Sequence, residues 1–390
     1  MISVPDALDQ LFALVDPLAC ETVPLRHAAG RVLAGAVRAS RDQPPFAASA
    51  MDGYAVAAPS PIVGDSYTVI GEAAAGHAFT GAVAEGEAVR IFTGAPVPEG
   101  ANRVIIQEDV SAHGATITIA HETGPKTYIR PAGGDFKAGD AISYPRRLGP
   151  ADVALLASMN IAQAPVTRKP VVAILPTGDE LVQPGETPNT DQIIASNSYG
   201  LAALIDANGG ESRLLPIARD THASLAVAFD LAQGADLIIT IGGASVGDHD
   251  LVAKAAADKG MKQAFYKVAM RPGKPLMAGQ IGPAAMIGLP GNPVSAMVCG
   301  HVFVLPVLRK MLGLGADPAP RQTVRLANSL TANGPREHYM RARLTDGQVV
   351  VFDKQDSALL TVLSDANCLV VRPPNDGARL PGDRMEIIKI

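Results

Sequence analysis

The chain has no tryptophan, and its 9 phenylalanines and 7 tyrosines make up only 4% of it. Stacking of successive bases on aromatic side chains is therefore not its means of binding. An excess of one charge is also missing: 33 basic and 38 acidic residues leave a net charge of −5, with no long run of either sign. That balance supports neither a nucleic-acid footprint nor a polybasic membrane patch. No run of 18 apolar residues occurs, so no membrane span is expected. The N-terminal MISVPDALDQLFALV lacks a basic region and carries two aspartates, unlike a signal peptide. Cysteine is scarce. Cys20, Cys299 and Cys368 are odd in number and far apart, with no C-x-x-C pair. They point to a reducing, cytoplasmic setting and to three packed small apolar side chains rather than a metal or redox site.

What is abundant is glycine and proline, 38 and 31 residues, roughly half again the usual share. With 47% hydrophobic residues spread along 390 positions, this predicts many turns and short strands rather than disorder, in two to four domains. Ser3 opens S-V-P-D, a capping box with Asp6, and Leu8, Leu11, Phe12 and Val15 repeat at helical spacing, so 4–16 reads as an amphipathic helix. From 24 to 144 short β-rich runs (SYTVIGEA, AVRIFTG, RVIIQEDV, ATITIA) alternate with turn residues. A second helical patch at 149–161 is expected to return beside the first helix, and 163–170 (QAPVTRKP) reads as a linker.

Strands and helices then alternate: VVAIL, a helix over about 197–208, SRLLPIA, a helix opened by Thr221, DLIITI, a helix from about Asp250, AFYKVAM, AAMIGL and a long apolar helix over about 293–312. Alternating β and α predicts a mostly parallel, doubly covered sheet. After a second linker at 315–320, TVRLANSL, YMRARL, QVVVFD, CLVVRP and MEIIKI are strands without helices, which predicts a small C-terminal β-barrel or sandwich. The fold class is thus α/β plus β, multidomain. Discontinuous 1–43 and 146–169 connect a β-rich 44–145, an α/β unit at 170–317 and a β-barrel at 318–390.

Three stretches share one layout, a buried-looking strand running into a polar or glycine-rich loop and then a helix: VVAILPTGDE (171–180), DLIITIGGASVGDHD (236–250) and AAMIGLPGNPVS (284–295). Ligands of open α/β sheets sit outside the carboxyl ends of the strands, so these loops should line one crevice. Gly242, Gly243 and Gly247, with Ser245 among them, let backbone amides approach an anion ahead of a helix N-terminus. Asp248 and His249 stand where a Walker A loop needs Lys and Ser/Thr, and the glycine spacing is not that of a dinucleotide fingerprint. A tight turn with a helix cap accounts for the loop equally well. Asp179, Glu180, Asp220 and Asp250 gather carboxylates at one sheet edge, which suits Mg²⁺, although helix capping accounts for any one of them. Lys267, Arg271 and Lys274 bring cations to the same edge. In an extended chain Lys267 and Arg271 share a face, a phosphate or oxyanion site or else a solvated rim. Pro290-Gly291-Asn292-Pro293 is a stiff turn into a helix that can present backbone groups to a ligand or simply join two elements. Asp52-Gly53 and Thr93-Gly94, taken alone, are ordinary turn signals.

Taken together, PPFAASAMDGYAV, TGAPVPEGA, RPAGGDFKAGD, ILPTGDEL, SNSYGL, GGASVGDHD, RPGKP and GLPGNPVS fall in one order over 44–295, with ANCLVV beyond them. The ordered set is similar to the molybdopterin molybdenumtransferase family (MoeA and the corresponding gephyrin domain), over essentially the whole chain. The resemblance implies the four-part subunit above and a homodimer whose site lies between the α/β domain of one subunit and the β-rich domain of the other. It implies a reaction taking adenylylated molybdopterin and molybdate, releasing AMP and inserting molybdenum into the dithiolene with Mg²⁺ assisting. By that likeness Asp52, Thr93, Glu180, Asp220, Asp250 and Lys267 are catalytic, with Glu180, Asp220 and Asp250 at the metal. Arg130, Asp135, Gly242, Gly243, Ser245, Gly247, Arg271, Lys274, Pro290, Gly291, Asn292 and Pro293 bind substrate, and Asp52 and Thr93 arrive in trans.

A molybdopterin adenylyltransferase and recipient molybdoenzymes are implied partners, while nucleic acid and membrane are not. Two departures stand out. Arg271 replaces the lysine many members carry, a planar fork instead of a compact ammonium, and Asn102 stands where aspartate is common and reads as a turn residue. A C-terminal serine near the substrate is either Ser357 or Ser364. Two other readings are an adenylyltransferase making the activated pterin from ATP and a pterin-binding module without chemistry. The added β-rich segments argue against the first, and the gathered carboxylates argue against the second.

Overall fold

A computed structural model of the chain describes residues 1–242 and 251–390. The first helix is Val4–Ala13. Ser3 Oγ accepts the Asp6 amide at 3.2 Å, and the Asp6 carboxylate accepts the Ser3 hydroxyl at 2.6 Å. The first bond satisfies one of the orphan donors that begin every helix, and the second fixes the capping pair. Its apolar stripe (Val4, Ala7, Leu8, Leu11, Phe12) is buried in the α/β core, against Leu305–Met311 and Lys262–Tyr266. Lys310 Nζ donates to the carbonyl of Phe12 at 2.7 Å and holds that packing.

The second helix, Pro150–Ser158, does not return beside the first as expected. Its Leu156 joins Leu33, Leu148, Met159 and Val166 in a separate small core. The reason is composition: Val4–Ala13 carries a wide apolar stripe that only a large core can cover, whereas Pro150–Ser158 buries little more than Leu156 and Asp152. The expected linker at 163–170 is also different. Gln163–Thr167 is a strand pairing antiparallel with Cys20–Pro24 and touching Val32–Leu33, so that residues 20–33 and 146–167 build one four-stranded sheet. Pro165 is tolerated there because its carbonyl still accepts the Ala34 amide at 3.0 Å.

The β-rich part is a six-stranded sheet in which Gly53–Val56 lies between Glu87–Ile91 and Arg103–Ile106. The α/β unit carries a six-stranded sheet whose spatial order is Glu211–Leu214, Val171–Pro176, Leu237–Ile241, Ala284–Leu289, Met277–Ile281 and Lys262–Tyr266. The first four are parallel, and Met277–Ile281 runs antiparallel to both of its neighbours. The central strands are buried on both faces, which is why they read as continuous apolar runs. Thr221 caps His222–Leu231 by accepting the Ser224 amide. The long apolar helix spans Pro293–Met311, with a wider turn over Gly300–Val304. It is long and apolar enough to cross a membrane, yet most of it is buried inside the protein, where Val298, Phe303 and Val307 sit in the main core.

At the C-terminus Gln322–Leu326, Glu337–Thr345, Gln348–Val351, Cys368–Arg372 and Arg384–Lys389 close into a five-stranded barrel through the pairing of Glu337–Thr345 with Cys368–Arg372. Met270–Arg271 of the preceding unit adds a short strand to it. Tyr339, Leu369, Val371 and Ile388 extend the main core into the barrel. Cys299 and Cys368 are packed as expected, but Cys20 is exposed because it begins an edge strand.

Candidate active site

The parallel strands end on one cavity of about 430 Å³. The three loops continue the ladder beyond the strands: Thr177 N donates to Ile241 O at 2.9 Å, Gly178 N to Ala218 O at 3.1 Å, and Gly242 N to Leu289 O at 3.1 Å. Glu180, Asp220, Gly242, Pro290, Gly291, Asn292 and Pro293 all line this cavity, at the topological position where open sheets bind ligands. Two glycines are required by geometry. Gly242 has φ +95°, and a Cβ there would meet the Thr177 carbonyl at 2.7 Å. Gly178 has φ +146°, and a Cβ would fill the space taken by the Glu180 carboxylate.

The acids divide by role. Asp179 Oδ1 accepts the Asp220 amide at 3.1 Å, so it shapes the loop. Arg219 ties the same loop down through the carbonyls of Asp179 and Leu181, at 2.9 and 3.1 Å. The side chains of Glu180 and Asp220 are held by no such bond among the described residues, and both face the cavity. Two oxygen ligands in a space that a glycine keeps open suit a hard divalent cation. Asp250, expected as the third ligand, lies outside the described residues, as do Gly243, Ser245 and Gly247. Among the described residues no group of three His, Cys, Asp or Glu side chains stands close enough to hold a metal.

The Pro290–Pro293 turn is fixed from two sides. Asn197 Nδ2 donates to Gly291 O at 2.7 Å, and Asn292 Nδ2 donates to Ser357 Oγ at 3.0 Å. Val294 N donates to Ser357 O at 3.0 Å. Pro293 starts the long helix as expected, but Asn292 caps it with backbone only because its amide is engaged by the serine. Of the two candidate serines, Ser357 thus stands at the cavity turn. Ser364 lines a neighbouring, mainly apolar cavity with Met297, His301 and Leu360. Thr177, Ser196 and Asn197 also line the main cavity. Sequence reasoning assigned none of them a role, although Ser196 and Asn197 open the SNSYGL segment.

The cations do not follow the predicted pattern. Lys267 has φ +70°, so the chain turns there and the Lys267–Arg271 stretch is not one extended strand with a common face. The Ile2 amide donates to Lys267 O at 3.1 Å, and the Lys267 amide donates to Leu276 O at 2.8 Å, which fixes the turn. Lys267 Nζ lies over the Tyr266 ring, 4.8 Å from its centroid, while Arg271 pairs with His338 on the barrel. Neither they nor Lys274 line the cavity, though Pro275, next to Lys274, does.

The remaining predicted residues form a second group on the β-rich part. Asp52 Oδ1 accepts both the amide and the hydroxyl of Thr93, each at 2.7 Å. These two bonds, helped by the nearby Arg90 charge, hold the Asp52 carboxyl below its ordinary range against a small opposing effect of burial. Arg130 and Asp135 line a cavity of about 650 Å³ together with Phe46 and with Gly94, the neighbour of Thr93. Among the described residues, neither of these two cavities contains members of both groups.

Comparison with known proteins agrees with this division. Residues 2–160 match the family model "MoeA N-terminal region (domain I and II)", 173–310 match "Probable molybdopterin binding domain" and 323–390 match "MoeA C-terminal region (domain IV)". The chain is 37% identical to the molybdopterin molybdenumtransferase of Nostoc sp., over 96% of this chain and 90% of that protein. It is 35% identical to that of Haemophilus influenzae, over 95% and 94%. A crystal structure of a molybdopterin biosynthesis MoeA protein from Pyrococcus horikoshii superposes with a TM-score of 0.85 at 27% identity, covering 100% of both chains. Mixed α/β architecture, a closed C-terminal barrel and a cavity at the strand ends thus belong to a chain with near full-length likeness to named transferases. The chain belongs to the MoeA family and is an enzyme of molybdenum cofactor biosynthesis, a molybdopterin molybdenumtransferase.

Proposed function

We propose that the enzyme takes adenylylated molybdopterin and molybdate, inserts molybdenum into the dithiolene and releases AMP, with Mg²⁺ bound by Glu180 and Asp220. The observation carrying this reading is the pair of cavity-facing carboxylates with no side-chain partner among the described residues, beside a glycine that leaves them room. Carboxylates lining a cavity that receives a pyrophosphate repel it, so a bound cation is needed to reconcile the two. Mg²⁺ there would neutralise charge on the pyrophosphate of the adenylylated pterin.

The chain's own groups do the rest. The amide of Gly242 already donates to Leu289 O, so Gly242 acts by the close backbone approach its missing side chain permits. The Pro290–Pro293 turn, braced by Asn197 and Ser357, positions the ligand against the strand ends. Molybdate is a dianion and needs donors of positive charge, which this cavity lacks among the described residues and the Arg130 cavity supplies. We therefore place a second copy's β-rich part over the strand-end cavity, bringing Asp52, Thr93, Arg130 and Asp135 to it in a homodimer. An assay with purified protein, adenylylated molybdopterin, molybdate and Mg²⁺ tests the reaction. Active cofactor should form, with AMP in equal amount, far faster than without protein. Equal rates with and without protein would refute it.

A further inference from the structure

On the far side of the α/β unit from these loops, a separate cavity of about 430 Å³ lies where the 20–33/146–167 sheet meets the α/β domain. His27, Arg31 and Arg147 come from the sheet side, and Lys169, Asp206 and Gly209 from the α/β side. We propose that this junction is a binding site for a phosphate group, free or as the monoester of a small molecule.

Three observations carry the inference. First, the positive charge is not internally matched. Arg31 pairs with Glu21, but neither Arg147 nor Lys169 has a carboxylate partner among the described residues. The Asp206 carboxylate is satisfied by the Ser212 amide and hydroxyl, at 2.8 and 2.9 Å. Second, Arg147 is half-buried with one nitrogen fixed, Nη2 donating to Asn208 O at 2.5 Å, while nothing described pairs with Nη1. The carbonyl at a helix C-terminus orients the guanidinium and offsets only part of its charge. Third, a second guanidinium repels the first. Arg309 has a buried Nε with no partner, and Arg147 feels both burial and repulsion from Arg309, each favouring its uncharged form. Partly buried like charges without a counter-ion are costly, and an anion on the open side relieves that cost. Cations reaching in from two sides, one of them a planar fork, suit an oxyanion such as phosphate, which offers oxygens in more than one direction. Since the residues come from both sides of a domain junction, an occupied site would also hold the two units together.

The test is thermal unfolding and titration calorimetry on the full-length protein with inorganic phosphate, and separately with AMP, against sodium chloride of matched ionic strength. Phosphate or AMP should stabilise the wild type saturably. Lys169→Gln, at an exposed position, and Arg147→Gln should each weaken binding about tenfold or more. Glu180→Gln, in the main cavity, should leave the phosphate response unchanged. Response to both anions assigns a general phosphate site, and a response to AMP alone that Glu180→Gln keeps and Lys169→Gln loses assigns an ester site. An AMP response lost in Glu180→Gln belongs to the main cavity and counts against the proposal. Absence of saturable stabilisation beyond the chloride control would overturn the proposal. So would a response that persists in Lys169→Gln.

Discussion

One oxygen of Asp52 accepts two hydrogen bonds from a single residue, the amide and the hydroxyl of Thr93, 41 positions further along the chain. Gly53–Val56 and Glu87–Ile91 are neighbours in the sheet, and that pairing delivers the two loops to one place. Asp52 is at the surface, so the bonds orient the carboxylate rather than stabilise the fold. Asp52→Asn should lower turnover by about tenfold or more and move the unfolding temperature by no more than about 2 °C. A large drop in unfolding temperature with turnover retained would reduce the pair to a structural turn.

Glu180→Ala and Asp220→Ala should each abolish turnover with nearly unchanged thermal unfolding, since neither side chain holds a described hydrogen bond. Wild-type protein should show a Mg²⁺-dependent rise in unfolding temperature that both variants lose. Asp179→Ala is the contrasting case. It removes the acceptor for the Asp220 amide and should cost roughly 1 kcal/mol of stability.

Ser357 and Ser364 can be separated by kinetics. Ser357 accepts a bond from Asn292 at the cavity turn, while Ser364 lines the cavity next door. Ser357→Ala should raise KM or lower kcat severalfold, at about 1 kcal/mol in stability, and Ser364→Ala should change neither parameter by more than about twofold. The reverse order would transfer the role to Ser364.

In the barrel, Arg372 and Asp376 form an ion pair whose side chains are 3% and 5% exposed, with Arg379 on the other face of the carboxylate. Asp376→Ala leaves the Arg372 charge buried and should cost about 3–5 kcal/mol in denaturant unfolding. Burial opposes ionisation of Asp376, but bonds to Arg379 and Arg372 outweigh it and hold its carboxyl low. This stabilisation is complete above the ordinary carboxylate value of 3.8 and is lost as pH falls through the depressed folded value.

A second acid-sensitive contribution appears at milder pH. His338 is pushed to about 4, chiefly by burial and then by Arg271, Arg372, Arg341 and Arg336, and burial alone brings His301 to about 4. Below the unfolded value of 6.5 the unfolded chain takes up protons that the folded chain refuses. Stability should therefore fall between about pH 6.5 and 4 and level off below the folded values. His338→Gln should flatten this slope in unfolding curves measured across that range. An unchanged slope would show that folding leaves the proton affinity of His338 unshifted.

Much of the local structure was legible because it is written in neighbouring residues. The Ser3–Asp6 capping box, the Thr221 cap, the start at Pro293 and the apolar strands ending in Glu180, Gly242 and Pro290 each need only a few adjacent positions. The course of the chain at Lys267 was not legible, because its left-handed backbone is imposed by contacts with Ile2 and Leu276 and not by local propensity. Nor was Gln163–Thr167 as a strand: its proline and the residues after it resemble a linker until Cys20–Pro24 pairs with it from far back in the chain.

By its own order of motifs the sequence determined the family, the β/α alternation and the carboxylates and glycines available for chemistry, since each depends on residue identity and short spacing. Which of them meet was decided only in three dimensions. Sheet pairing and packing bring Glu180, Asp220 and Asn292 around one cavity, bind Ser357 to its rim, and set Asp52 with Thr93 on a different part of the molecule. Those distances come from contacts between segments tens to hundreds of residues apart, which no local pattern encodes.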